Sequence, residues 1–158
     1  METRANVLYV DDEVDNLFAF KARFRHEFNI YTAQSAEEAR VVLNTQLIYV
    51  LITDQCMPGT TGTELLARAV KNYPDLVRIL VTAKEDTEVL TEAINSGYIF
   101  KYFKKPWNEG HLLKAMRDAA QLFELRTNEK ALLRELQKTN AELRVLLKEK
   151  LNMLRENP

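Results

Sequence analysis

With 158 residues, the chain is long enough for one domain of ordinary size or for one domain with an appendage. Apolar residues make up 46% of the sequence and charged residues 28%, a balance that predicts a globular protein able to bury a core. The net charge of −1 gives no general reason to expect nucleic acid or an anionic membrane as a partner, and no run of about 18 apolar residues could span a bilayer.

Five short apolar runs alternate with helical patterns through the first two thirds of the chain. The third and fourth runs are almost continuously apolar, as expected of parallel strands that are covered on both faces. The predicted strands are residues 6–10, 28–33, 48–53, 77–82 and 98–103.

Helical patterns fill the connections between these runs. The second helix opens with Ser35 as N-cap and Glu38 three residues later, a capping box. The third begins at Thr61 or Gly62, and the fourth runs from about residue 85 to 96, with Gly97 as its C-terminal stop. This alternation predicts an α/β fold, a doubly wound five-stranded parallel sheet between layers of helices.

The end of the sequence has a different character. After Gly110 there is no glycine, and no proline before Pro158, while leucines recur at steps of three and four residues. One helix from about 108 to 155 would be about 70 Å long, which is more than a globular core can cover. We therefore predict a compact domain over residues 1–125 and a helical extension over residues 126–158 that needs a partner.

Two heptad frames fit this extension. One places Leu133, Asn140, Leu147 and Leu154 at position a, with Leu136 and Leu143 at position d. The other places Leu136 and Leu143 at a, with Leu125, Leu132, Leu146 and Met153 at d. Both predict a parallel coiled coil and hence a homodimer, and an asparagine at a would fix the register. A solvated single helix is the alternative.

Polar side chains follow four of the predicted strands. Asp11 and Asp12 follow the first strand, Asp54 the third, and Lys105 the fifth, while Thr82 ends the fourth. Because the carboxyl ends of parallel strands meet at one edge, we expect these five side chains to lie close together. Singly, each has a structural explanation: an aspartate or threonine can cap a helix or form a turn, and a lysine can be solvated.

Together, these residues indicate a cation and a phosphate. Three carboxylates at one edge repel each other unless a cation offsets their charge. Mg²⁺ prefers oxygen ligands and binds one or two carboxylates together with a phosphate. A lysine and a hydroxyl nearby would then contact the phosphate oxygens, which is the chemistry of phosphoryl transfer to a carboxylate.

The segments that carry this pattern are "VLYVDDE", "LITDQCMPGTTG", "ILVTA" and "KYFKKPW". In order and spacing, over about residues 5–125, they resemble the receiver domain of two-component response regulators, the CheY-like family. The segment "AINSGYIFKYFKKPW" is similar to receivers of the hydrogenase-regulator and HD-GYP-phosphodiesterase types. The resemblance implies a flavodoxin-like receiver fold.

The resemblance also implies a role for each site residue. Asp54 would be the phosphoacceptor and a ligand of Mg²⁺, Asp12 a direct Mg²⁺ ligand, Asp11 an acid that reaches the metal through water, and the backbone carbonyl of Cys56 a further ligand. The hydroxyl of Thr82 and the ammonium of Lys105 would contact the phosphoryl group. Tyr102 would be the aromatic side chain that swings inward on activation, and the peptide bond between Lys105 and Pro106 is commonly cis in this family.

The implied function is to accept a phosphoryl group from a sensor histidine kinase or phosphotransfer protein. Phosphorylation would change the face formed by the fourth helix, the fifth strand and the last helix, and the coiled coil would relay the change. Such a domain is not a dedicated enzyme. We also expect no membrane segment, no direct contact with nucleic acid and, from the single Cys56 and the absence of a signal-like N-terminus, a cytoplasmic location.

Two other functions fit the residues less well. One is a constitutive dimeric interaction scaffold with an inactive acidic pocket, against which the full set of acids, threonine and lysine argues. The other is a hydrolase of the haloacid-dehalogenase type with an aspartate nucleophile. That chemistry needs a second acid two residues after Asp54, where this chain has Cys56.

Overall fold

The computed structural model describes residues 3–83 and 87–156. Five parallel strands form one sheet in the order β2-β1-β3-β4-β5, as predicted for a doubly wound α/β fold. The elements in chain order are β1 (Asn6–Val10), α1 (Val14–Phe24), β2 (Asn29–Ala33), α2 (Ala36–Thr45), β3 (Val50–Asp54), α3 (Gly62–Asn72), β4 (Val77–Thr82), α4 (Thr87–Asn95), β5 (Lys101–Lys104) and α5 (Glu109–Glu156).

The fifth strand begins later than the sequence predicts. Residues 98–100 were expected to be part of it, but β5 starts at Lys101. In the segment before β5, the guanidinium of Arg78, a buried arginine in β4, donates to the backbone carbonyls of Tyr98 (2.9 Å) and Gly97 (3.2 Å). Both carbonyls lie past Asn95, the last residue of α4, and the two hydrogen bonds tie this connection to β4. The predicted start of the fourth helix near Glu85 lies outside the described residues.

The helix ends follow the predicted capping chemistry. Ser35 Oγ accepts a hydrogen bond from the backbone N–H of Glu38 at 3.2 Å, while the Glu38 carboxylate accepts from the N–H of Gln34 instead of Ser35. Thr61 caps α3 by accepting from the N–H of Glu64 at 3.3 Å. Gly97 has φ +75°, the left-handed conformation that ends a helix after its C-cap.

Side chains alternate along each strand and fill two separate cores. Val7, Tyr9 and Ile52 pack on the face covered by α1 and α5, whereas Leu8 and Leu51 pack on the face covered by α2, α3 and α4. Two of the three interior strands, β3 and β4, are buried along their whole length. The sheet therefore holds its carboxyl edge rigidly between the two helix layers.

The chain divides into two compact units, Met1–Glu124 and Leu125–Pro158. In the first unit, the buried residues of α5 recur at helical spacing, from Leu112 to Phe123. In the second unit, every residue from Leu132 to Glu156 is exposed. None of the helices within the described residues has the length and apolarity needed to cross a membrane. The functional boundary between residues 125 and 126 stays a prediction.

Candidate functional site

Strand alternation brings two of the predicted carboxylates to the same side of the sheet edge. Asp54 is the last residue of β3 and lies two positions after Ile52, while Asp11 lies two positions after Tyr9 in β1. Both Ile52 and Tyr9 face the layer formed by α1 and α5. Because residues at i and i+2 share a face, Asp11 and Asp54 point toward the same helix layer.

Lys105 joins these two carboxylates. Its ammonium Nζ donates to Asp11 Oδ2 at 3.0 Å and lies 3.5 Å from Asp54 Oδ2. Asp11 is completely buried and Asp54 is 7% exposed, so water screens these ion pairs poorly. Lys105 follows β5, and its backbone N–H bonds to the carbonyl of Thr82 at 2.8 Å. The predicted cis bond between Lys105 and Pro106 is present.

Asp11 is held by four donors. Its Oδ2 accepts from Lys105, from the hydroxyl of Tyr9 at 2.9 Å and from the amide of Asn16 at 3.1 Å, and its Oδ1 accepts from the backbone N–H of Glu13 at 3.0 Å. The N-cap of α1 is Glu13, so Asp11 is not the helix cap that its position also allowed. Fixed on both oxygens, this carboxylate is a rigid part of the site.

The pKa values of Asp11, Asp54 and Lys105 are shifted by this shared environment, but not all in the same direction. Burial acts to raise the pKa of Asp11, but the hydrogen bonds from Glu13, Lys105 and Tyr9 outweigh it and lower that pKa. The pKa of Asp54 is raised, first by burial and then by the charge of Asp11, against the opposing charge of Lys105. Burial acts to lower the pKa of Lys105, yet its hydrogen bond to Asp11 and the charge of Asp54 raise it, so Lys105 stays protonated.

Asp12 completes a group of three carboxylates. Ligand oxygens of Asp11, Asp12 and Asp54 all lie within 4.8 Å of one another, and Asp12 is exposed. Oxygen donors of this kind suit a hard divalent cation such as Mg²⁺, which keeps several of its waters. The donor set therefore fits the predicted cofactor. Among the described residues, Lys105 forms ion pairs with two of these carboxylates, and one ammonium does not neutralise three acids, so a cation would relieve the remaining repulsion.

The other predicted site residues lie at different depths. Thr82 ends β4 and is 1% exposed, one position beyond the residue that pairs with Asp54 in the sheet register. The side chain of Cys56 is exposed. Tyr102 does not join the acidic cluster: its ring is 40% exposed and lines a shallow groove of about 450 Å³ beside Phe100 and His111. The roles predicted for these three residues remain predictions.

The loop after Asp54 is fixed by Gln55 and Gly62. The Gln55 side chain accepts from the backbone N–H of Thr63 at 2.8 Å and donates to its hydroxyl at 3.2 Å, which ties the end of β3 to the first turn of α3. A Cβ on Gly62 would lie 2.3 Å from the carbonyl oxygen of Asp54. Glycine is therefore required where α3 approaches the strand end most closely.

Tyr9 is a site residue that sequence reasoning missed. In "NVLYV" it fits a buried strand, and it does pack there, stacked on Phe20 with ring centroids 4.1 Å apart and edge-on to Trp107 at 6.3 Å. Burial first, and then the charge of Asp11, raise the pKa of its hydroxyl, so Tyr9 remains a donor. The available signal was the hydroxyl itself, because a buried tyrosine usually needs a hydrogen-bond partner.

Comparison with known proteins gives consistent matches over this part of the chain. The family model of the response regulator receiver domain matches residues 7–117. The hydrogenase transcriptional regulatory protein HoxA of Cupriavidus necator is 37% identical over 120 residues, which are 76% of this chain and 25% of HoxA. The chain thus spans about a quarter of the length of this relative, and the predicted similarity to hydrogenase regulators is confirmed.

Solved protein structures superimpose on the fold of this chain. A structure described as adenylate cyclase from Rhodopirellula baltica superimposes with a TM-score of 0.79 at 27% identity, covering 84% of this chain and 98% of that one. The signal receiver domain of an HD domain-containing protein from Pseudomonas fluorescens Pf-5 gives a TM-score of 0.73 at 30% identity, covering 77% and 98%. Each superposition covers nearly all of the solved structure but a smaller share of this chain.

Proposed function

This chain belongs to the response regulator receiver domain family, and from this premise we propose that Asp54 accepts a phosphoryl group from the phosphohistidine of a sensor histidine kinase or phosphotransfer protein. One observation carries the proposal: Asp54 stands at a strand end within 4.8 Å of Asp11 and Asp12 and 3.5 Å from the ammonium of Lys105. A partner kinase implies a cytoplasmic location, which stays a prediction.

The transfer requires an ionised, accessible nucleophile. A carboxylate oxygen of Asp54 attacks phosphorus, the phosphorus–nitrogen bond of the phosphohistidine breaks, and its electron pair returns to the imidazole, leaving an acyl phosphate on Asp54. Lys105 opposes the rise in the pKa of Asp54 that burial causes, and it offers its ammonium to a phosphoryl oxygen. Asp11, held by its own donors, keeps Lys105 in place when the ammonium turns toward phosphate.

The residues that would hold Mg²⁺ are Asp12, Asp54 and the backbone carbonyl of Cys56, with Asp11 acting through water. Bound there, Mg²⁺ would offset the negative charge that develops on the transferred phosphoryl group. The support is the chemistry of the donor set, which among the described residues brings three carboxylates together, two of them paired with Lys105. In this scheme the chain is a phosphoryl acceptor, and it is not a dedicated enzyme.

Phosphorylation would then change a neighbouring surface. The phosphoryl group brings roughly −1.5 to −2 charges to the sheet edge. We propose that Thr82, at the end of β4, moves to bind it, and that Tyr102 turns inward from the groove that it now lines with Ile94 and His111. The face formed by α4, β5 and α5 changes shape as a result, and α5 relays the change along its distal part.

Replacement of Asp54 by asparagine should abolish phosphorylation. Asparagine keeps the shape of the side chain but cannot form an acyl phosphate, so we expect no incorporation of label from acetyl phosphate or from a phosphorylated kinase. The exposed Asp15, in the first turn of α1, is a matched control, and Asp15→Asn should be labelled like the wild type. Label retained by Asp54→Asn would exclude Asp54 as the acceptor.

Magnesium binding should be visible in the fluorescence of Trp107, the only tryptophan. Trp107 contacts Tyr9, whose hydroxyl bonds to Asp11, so a cation at the acidic edge changes the surroundings of the indole through one side chain. We expect a saturable, chelator-reversible change that Asp12→Asn weakens strongly and Asp15→Asn leaves unaltered. An equal response in Asp12→Asn would mean that the metal binds elsewhere, and no response would favour the inactive scaffold.

A further inference from the structure

The distal part of α5 has an apolar stripe that the chain itself leaves uncovered. Six leucines define this stripe, and their side chains are 54–67% exposed: Leu132, Leu133, Leu136, Leu143, Leu146 and Leu147. At 100° per residue they fall within about 140° of the helix circumference. Packed contacts and not intrinsic propensity supply most of the stability of protein helices, so an uncovered stripe of this length indicates a missing partner.

Charges of opposite sign flank the stripe. With Leu136 at zero, Glu135, Glu142 and Glu149 lie at about −100° to −140°, and Lys130, Arg144 and Lys148 lie at about +80° to +120°. The three glutamates recur at a spacing of seven residues, so this acidic flank follows the stripe along its length. One side of the stripe is therefore acidic and the other basic.

We propose that this stripe pairs with the same stripe of a second copy of the chain, in parallel. In a parallel pair related by a two-fold axis along the helices, the acidic flank of each copy faces the basic flank of its partner on both sides. In an antiparallel pair, acidic would face acidic and basic would face basic, which costs free energy at every pair of like charges. The unequal flanks therefore select the parallel orientation.

In the first of the two heptad frames, Asn140 occupies position a inside the stripe, and this favours an assembly of two copies. Asn140 lies at about +40° from Leu136, between the turns that carry Leu136 and Leu143. An asparagine at a core position of a parallel coiled coil pairs with its counterpart across the axis, and this favours a dimer in one register. The inference does not depend on the phosphoacceptor proposal, because it uses only residues of the distal unit.

Disulfide cross-linking tests the orientation on the full chain. With Cys56→Ser removing the natural thiol, Leu133→Cys near the start of the stripe should cross-link to its own counterpart under diamide. Leu147→Cys, at the other end of the stripe, should do the same. A mixture of Leu133→Cys with a tagged Leu147→Cys chain should give no mixed dimer. An antiparallel pair would give the opposite pattern, with the mixed dimer dominant, and would overturn the proposal.

Charge reversal tests the role of the flanks. The triple variant Glu135→Lys, Glu142→Lys and Glu149→Lys has two basic flanks, and Lys130→Glu, Arg144→Glu and Lys148→Glu has two acidic ones. By light scattering, the wild type should have the mass of a dimer, and each variant alone should be at least tenfold weaker in self-association. An equimolar mixture should regain the dimer mass. A monomeric or trimeric wild type, or variants that dimerise alone as tightly as the wild type, would refute the proposal. None of these measurements uses a phosphoryl donor.

Discussion

Gly62→Ala should destabilise the protein by about 3 kcal/mol, because the added methyl group has no space. Its carbon would lie 2.3 Å from the carbonyl oxygen of Asp54 and 2.9 Å from the Cα of Gln55. Both are backbone atoms at the end of β3, so the clash cannot be relieved by rotating a side chain. We expect the loss in the free energy of unfolding measured by urea denaturation.

The same substitution should also slow phosphorylation. To admit a methyl group, α3 must move away from the strand end, and Asp54 is the residue against which it now packs. A shift of this kind at a reacting group lowers the rate by at least about tenfold. Labelling by acetyl phosphate under conditions where the variant is fully folded measures this effect separately from stability.

Gly110→Ala is the matched control for Gly62→Ala. Both glycines lie in the first turn of a helix, but a Cβ on Gly110 would be 3.4 Å from Asn108 Oδ1, an ordinary contact. Alanine is the better helix former by about 1 kcal/mol, so this control should be neutral or slightly stabilising. Equal losses in both variants would mean that the effect is a general one of glycine replacement, unrelated to the close approach at Asp54.

The sequence predicts the strands and the site edge well because both follow from position. Buried parallel strands are continuously apolar, and polar residues at their carboxyl ends must meet at one edge. Asp11, Asp12, Asp54 and Lys105 occupy such positions, and the fold brings them together. This prediction depends on the order of the strands and not on the conformation of any side chain.

The contacts that hold the edge in place could not be predicted in the same way. The hydroxyl of Tyr9, the amide of Gln55 and the guanidinium of Arg78 each bond to a group whose position depends on the tertiary structure. Tyr9 and Arg78 occupy positions that suit an ordinary β-strand. The periodicity of apolar residues in a sequence indicates on which face a side chain lies, but not what it bonds to. The heptad register of the distal helix is ambiguous for a related reason: of two adjacent leucines, Leu133 fits the first frame and Leu132 fits the second.

The second large effect should be opposite changes in stability when the two buried carboxylates are neutralised. In metal-free buffer at neutral pH, Asp11→Asn should cost about 2 kcal/mol or more, because Tyr9 and Asn16 lose a charged acceptor and Lys105 loses its nearer ion-pair partner. Asp54→Asn should be stabilising, because it removes a charge that burial and the neighbouring Asp11 disfavour.

The dependence on pH should distinguish the two carboxylates as well. The pKa of Asp11 is lowered in the folded protein, so the ionised carboxylate adds to the free energy of unfolding. This stabilisation is fully present above the unfolded pKa of about 3.9 and is lost as the pH falls through the folded pKa. The pKa of Asp54 is raised, so the wild type regains stability as pH falls through that folded pKa. The advantage of Asp54→Asn should therefore shrink between neutral pH and about pH 4, while the deficit of Asp11→Asn persists.

Urea denaturation followed by circular dichroism, in the presence of a chelator, measures both differences across this pH range. Asp15→Asn is again the control, since the exposed Asp15 should show neither effect. Losses of equal size in Asp11→Asn and Asp54→Asn would mean that Lys105 compensates both carboxylates alike. In that case the acidic edge would be balanced without a metal. The opposite signs that we expect follow from one carboxylate being fully hydrogen-bonded and the other carrying a negative charge that its surroundings do not fully compensate. A bound cation would relieve that condition.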